Sequence, residues 1–301
     1  MKEKYWSKVI LFGEYSMIFD SNALLVPLKR FSAKWTREED APEESICFSR
    51  HELSSFCEFL RTDDRLSTDI DSIALEKDLK DGWWLASDVP VGYGLGSSGT
   101  VVAAVYDRYA LKRIEDAMCL KELFSRMESY FHGSSSGIDP LQCYLSKPFR
   151  ITSEGVDLLD EIVFKNGIDI CLIDTKVKSS TKPLVEYFKR QRENEAYLTG
   201  FRRDYLPDVG ACIDAMIQGN KDTFFMGLQR LMTAQLSYLG PMIPEHATAL
   251  FESAYDFHFG VKINGAGGGG YMLGFTDDRD KASSLLGNYD VLWLDQKSVK
   301  D

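Results

Sequence analysis

The sequence predicts an α+β protein of two domains. Three observations carry this expectation. The chain has 301 residues, 44% of them hydrophobic, which is more core than one domain usually holds. Short apolar runs stopped by glycine or proline alternate with longer stretches whose apolar residues recur at helical spacing. A polar join, SKPFRITSEG at 146–155, divides a first domain, 1–150, from a second, 151–301.

The elements follow in order. Residues 8–12, KVILF, read as a strand that runs into Gly13 and Glu14, and ALLVPL at 23–28 is a second apolar run ending near Pro27. Segment 36–45, TREEDAPEES, reads as a charged turn, and WWLASDVP at 83–90 as a strand stopped by Pro90. From Ser98 the pattern turns helical, with Val101, Val105 and Tyr109 on one stripe. A second helix covers about 116–131, with Leu120, Leu123, Phe124, Met127 and Phe131 as its apolar stripe and Gly133 as its stop. IDICLID at 168–174 is a short strand. Charged helices fill 181–200 and 208–219, and a more apolar one 222–239. GVKINGAGGGGYMLGF reads as strand, glycine loop, strand, with Val261 and Ile263 alternating before the loop and Tyr271, Leu273 and Phe275 after it.

Composition excludes several function classes. A net charge of −11 repels polyanions, so nucleic acid is not an expected partner. The six cysteines show no C-x-x-C and no metal-ligand spacing, and read as reduced thiols of a cytoplasmic protein. No stretch approaches the roughly 18 apolar residues of a membrane span, and the N-terminus lacks the pattern of a cleaved signal. No H-E-x-x-H is present.

The most informative stretch is PVGYGLGSSG, 90–99, directly before the first clear helix. Glycine inside a regular element costs roughly 0.5–1 kcal/mol against alanine, so such a run marks a backbone that bends sharply or lies close to something. A helix N-terminus carries unpaired N–H groups and a partial positive charge. Glycines ahead of it let amides close around an anion. Gly92, Gly94, Gly96, Ser97 and Ser98 therefore read as a phosphate cradle, with the serine hydroxyls able to cap the helix, bind phosphate or ligate Mg²⁺. Two other readings stand beside this one. Gly94–Gly99 also fits the dinucleotide pattern G-x-G-x-x-G, with Asp116 as the acidic residue, although Pro90 separates the loop from its strand. A tight turn with a serine cap is the purely structural alternative.

Three stretches together resemble the GHMP kinase superfamily: SKVILFGEYSMI (7–18), PVGYGLGSSG (90–99) and KINGAGGGGYML (262–273). Within it, ESYFHGSSSGID (128–139) and DTKVKSSTKPLV (174–185) are similar to the mevalonate kinases. Departures are Tyr15 in place of the usual histidine, Asn264 in place of threonine or serine, and Tyr93 and Gly99 in place of alanines. The resemblance implies an N-terminal ribosomal-protein-S5-like domain and a C-terminal ferredoxin-like α/β domain. It implies ATP and Mg²⁺ as cofactors and a small-molecule alcohol, most closely mevalonate, as acceptor, with a kinase for another small acid or sugar, or a member that binds nucleotide without turnover, as the alternatives, and it admits a homodimer. It implies that Asp139 accepts or orients the acceptor's proton, beside Lys8, and that Ser98 and Glu128 hold the metal. Gly92, Gly94, Leu95, Gly96, Ser97, Ser98, Gly265, Gly267 and Gly268 are implied at the nucleotide, and Glu14 and Tyr15 at the substrate. Read without the resemblance, Glu128 is an exposed acid on a charged helix, Asp139 an N-cap, Lys8 a strand-edge lysine, His132 a helix-end residue, and the second glycine loop a hairpin turn.

Overall fold

Buried side chains dominate Tyr5–Phe12, and this run forms the first strand, β1. The computed structural model describes residues 1–19, 21–37, 42–160, 167–252 and 258–294. The chain forms two compact units that interleave in sequence. The first is Met1–Lys8, Pro27–Pro90 and Gly96–Ser146; the second is Val9–Val26, Val91–Leu95 and Lys147–Asp301. Strands β1 and β2 (Ala23–Thr36) each contribute residues to both units.

In the first unit, β2 runs on through Pro27 to Thr36 rather than ending near the proline. Proline's fixed φ suits an extended chain, and only one ladder donor is lost. Helices α1 (Glu43–Thr62), α2 (Leu66–Asp69) and α3 (Ser72–Lys80) follow, then β3 (Trp84–Ser87), which pairs antiparallel with Ala33–Thr36 of β2. Of the expected charged turn at 36–45, residues 38–41 lie outside the described residues, and α1 begins at Glu43. Helices α4 (Ser97–Tyr109), α5 (Ala117–His132) and α6 (Ile138–Leu145) pack on one another. Val102, Val105, Tyr106, Leu120, Phe124 and Leu141 are buried among them, and Tyr106 meets Phe124 edge-on at 5.1 Å. Asp116 caps α5 by accepting from the Cys119 amide at 2.7 Å, which removes it as a ribose-binding acid.

In the second unit, Ala23–Leu25 of β2 pairs antiparallel with β4 (Phe149–Ile151), which pairs with β5 (Val156–Leu158). Strand β6 (Asp169–Asp174) lies in a four-stranded antiparallel sheet completed by β7 (Phe259–Lys262), β8 (Tyr271–Thr276) and β9 (Asp290–Leu294), in the order β7-β8-β6-β9. The charged stretch 181–200 is two helices, α7 (Thr181–Gln191) and α8 (Glu195–Asp204). The break falls at Asn194, whose side chain accepts from the Tyr197 amide and starts α8 afresh. Helices α9 (Leu206–Gln218), α10 (Lys221–Leu239), α11 (Thr248–Glu252) and α12 (Arg279–Leu285) complete the unit.

Helix α10 packs on β7, and Phe12, Phe224 and Phe275 form a ring cluster with centroids 5.5–5.9 Å apart. All three side chains have no exposed surface. Phe224→Ala removes the middle of this cluster and is expected to cost about 3–5 kcal/mol. A urea titration followed by circular dichroism checks this; an unchanged midpoint would mean that the site collapses without loss.

Candidate active site

Lys8 stands on β1 with no exposed surface, although a lysine on a short strand is usually solvated. Its Nζ lies 2.9 Å from Asp139 Oδ2. Asp139 is the second residue of α6, whose N-cap is Gly137, so it is not an N-cap. A proline in the first turn is tolerated because its missing N–H would have no partner there. The Asp139 side chain keeps 29% exposure, so the pair has one buried and one accessible end. Among the described residues, Lys8 Nζ has this ion pair but no hydrogen bond of good angle, leaving donor capacity toward an anion.

Two glycines let this pair form. Gly96 caps α4 in the left-handed region, φ 76°, and a Cβ there would stand 2.9 Å from Lys8 Cγ. Gly99 brings the α4 backbone against α6, where a Cβ would meet Asp139 C at 3.0 Å. A methyl group at this position would press on the α6 backbone.

Glu128, on α5, is 4% exposed and is therefore not the solvated acid that its charged helix suggested. Ser98 Oγ donates to Glu128 Oε1 at 2.8 Å, and Ser135 Oγ donates to the other carboxylate oxygen. Burial, and secondarily the charge of Asp139, push the Glu128 carboxyl up to about 7. His132 Nε2 lies 3.0 Å from Ser98 Oγ. Burial holds its pKa down. Ser97 and Ser98 open α4 without a side-chain cap bond.

In the second unit, Val91–Leu95 is held by a second loop and by a segment after β6. Ser179 N donates to Gly92 O at 3.0 Å, Tyr271 N to Tyr93 O at 3.3 Å, and Asn264 Nδ2 to Gly94 O at 3.3 Å. Leu95 is buried. Gly265, Gly267 and Gly268 have φ of 63°, 73° and 73°, and Gly270 N donates to Val177 O at 2.6 Å. This loop is a packed structure rather than a plain hairpin turn. Glu14 Oε1 lies 2.5 Å from Lys262 Nζ, both side chains buried. Tyr15 has φ 61° and donates from its hydroxyl to Ala266 O at 2.8 Å.

The first unit thus brings Lys8 to Asp139 and Ser98 to Glu128, and the second gathers Gly92, Gly94, Gly265 and Asn264. Sequence reasoning passed over Ser135, His132 and Lys262 as partners. The position of Ser135, seven residues after Glu128 and beyond the end of the helix, carries no periodic signal. Lys262 stood inside the quoted glycine-loop segment, where a lysine in an apolar strand was the available signal.

The donor set bears on a metal. Among the described residues no cluster of three or more His, Cys, Asp or Glu is placed to hold one. Among the described residues Glu128 is nonetheless buried with hydroxyl partners and no ion-pair partner, and a divalent cation suits such a carboxylate. One carboxylate and one hydroxyl match Mg²⁺, which takes its remaining ligands from phosphates and water. No helix among the described residues is long and apolar enough to cross a membrane.

Residues 65–147 match the family of GHMP kinases N terminal domains. The mevalonate kinase of Pyrococcus abyssi is 25% identical over 306 residues, covering 91% of this chain and 88% of the relative. The Streptococcus pneumoniae phosphomevalonate kinase in complex with phosphomevalonate and AMPPNP has a TM-score of 0.67 at 16% identity, over 97% of this chain and 99% of that one. Lactococcus lactis galactokinase complexed with galactose has a TM-score of 0.66 at 13% identity, over 97% and 91%. Residues 65–147 therefore belong to the GHMP kinase N-terminal domain family, and the chain as a whole has the fold of the GHMP kinases.

Proposed function

We propose that this chain transfers the γ-phosphoryl group of ATP to the hydroxyl of mevalonate. The observation that supports it most is the ion pair of Lys8, fully buried, with Asp139, partly accessible. Phosphoryl transfer asks for positioning and charge neutralisation more than for covalent chemistry. Asp139 orients the acceptor hydroxyl and takes its proton as the oxygen attacks phosphorus and ADP leaves. Lys8 pairs with Asp139 and offsets charge on the transferring group. Ser98 and Glu128 would hold Mg²⁺, which when bound would offset charge on the phosphates. Nucleotide contacts are assigned to Gly92, Gly94, Leu95, Gly265, Gly267 and Gly268 in the second unit and to Gly96, Ser97 and Ser98 in the first, where the first-turn amides of α4 suit a phosphate. Glu14 belongs to the acceptor side, whereas the Tyr15 hydroxyl is committed to the Ala266 carbonyl. The relatives named mevalonate kinase support the acceptor, and the six free thiols suit a cytoplasmic setting.

The reading is tested by ADP release with mevalonate, galactose and homoserine as acceptors. Mevalonate-dependent release well above the other two is expected. Turnover of galactose with none of mevalonate would leave a kinase with another acceptor, a result compatible with the galactokinase likeness in fold.

Asp139→Asn is expected to lower kcat roughly 10²–10⁴-fold while AMPPNP still raises the melting temperature. Near-normal kcat would remove the base assignment.

Glu128→Gln is expected to raise the Mg²⁺ concentration for half-maximal rate. It also carries a pH signature. Glu128 titrates near 7 in the folded chain against 4.5 ordinarily, so its contribution to stability is fully present below 4.5 and is lost as pH rises through about 7. Metal-free wild type should therefore lose melting temperature between pH 5.5 and 8 relative to Glu128→Gln. Parallel pH profiles would contradict the buried, unpaired carboxylate.

A further inference from the structure

We propose that Tyr15 is a positioning residue that pins the second glycine loop, residues 264–270, in the shape that the nucleotide needs. The nucleotide part rests on the kinase reading above; the pinning does not.

Tyr15 is one of three non-glycine residues with positive φ among the described residues, with Ser146 and Lys176. A bulky side chain in that region is a genuine outlier and persists only when its surroundings over-determine it. Here they do. The Glu14 carboxylate is fixed by Lys262 Nζ at 2.5 Å, and the Glu14 carbonyl accepts from Tyr205 OH at 3.1 Å. The Tyr15 ring packs against Phe188 with centroids 4.6 Å apart. Backbone and ring are thus held independently, and the hydroxyl is aimed at the Ala266 carbonyl, 2.8 Å away.

That carbonyl sits in a stretch, Asn264–Gly270, with glycine at 265, 267, 268, 269 and 270. Such a stretch loses more conformational freedom on ordering than any other composition. Its later half is tied by the Gly268 and Gly270 amides to the Met242 and Val177 carbonyls. Its beginning is tied by Asn264 Nδ2 to Gly94 O. Between them, Tyr15 ties the Ala266 carbonyl and Ser179 Oγ the Gly267 carbonyl. A loop ordered before binding spares the ligand that cost, which appears as affinity rather than as chemistry. Burial, and then the Glu14 charge, hold the phenol well above its ordinary range, so it stays a donor through the working pH range. Since the hydroxyl is committed to Ala266, it is not a donor to an acceptor carboxylate.

The test uses the full chain and Tyr15→Phe, which keeps the ring and its packing on Phe188. Hydrogen–deuterium exchange of the amides in 264–270 is expected to quicken about two- to tenfold, the range of one neutral hydrogen bond. The KM for ATP should rise by a similar factor, with kcat and the KM for the acceptor unchanged. Unchanged exchange in 264–270 overturns the pinning whatever the activity. Faster exchange with an unchanged KM for ATP, or a change confined to the acceptor KM, overturns the link to the nucleotide. Wild-type protein that turns over no acceptor defeats the kinase reading and the nucleotide link alone, and the exchange comparison still decides the pinning.

Discussion

A lysine ammonium with no exposed surface needs a negative charge beside it, and much of the first unit is arranged around that need. Asp139 meets it from the first turn of α6 at 2.9 Å. The lysine stem leaves no room for a side chain at position 96, and the approach of α4 to the Asp139 backbone leaves none at 99. The same aspartate raises the proton affinity of Glu128, which burial has already raised. The Cys143 thiol is pushed up by the same burial and is inert there. The lysine and its aspartate thus account for the two glycines, while burial and the aspartate bring the Glu128 carboxyl near neutrality.

The second unit uses a different economy. Its loops are joined mostly through backbone groups: residues 92–94, 177–179 and 264–270 exchange amide and carbonyl partners. Backbone pairing of this kind tolerates changes of side chain, provided that no Cβ intrudes. The glycine-rich spelling of these segments is therefore as much a condition for loop-on-loop packing as for approach to a phosphate.

This explains what the sequence disclosed and what it hid. Long helices with clean stripes, α5 and α10, were legible because period and caps agree. The end of β2 was misjudged because Pro27 ordinarily stops a strand. The stretch 181–200 read as one helix because the Asn194 cap lies inside a continuous charged run. Helix α1 went unread although Leu53, Phe56, Cys57 and Leu60 form its buried stripe, because serine and charge dilute the pattern. At the site, residue types were visible and environments were not. Nothing in the spelling of Lys8 or Glu128 announces burial, and the partners Ser135, Lys262 and Ala266 are set by tertiary structure alone.

The interleaving of the two units bears on how the chain is made. During synthesis, Val9–Val26 and Val91–Leu95 are extruded long before most of the residues that they join, which begin at Lys147. Until then the strand partner of Ala23–Leu25 in β4 does not exist, and the Phe12 ring lacks both Phe224 and Phe275. The nascent chain therefore carries an apolar strand end without its mates while the first unit's helices α4 to α6 are already available to pack. For the same reason a fragment starting at 147 lacks the strand that β4 needs, and severing the chain there separates neither unit cleanly from the other.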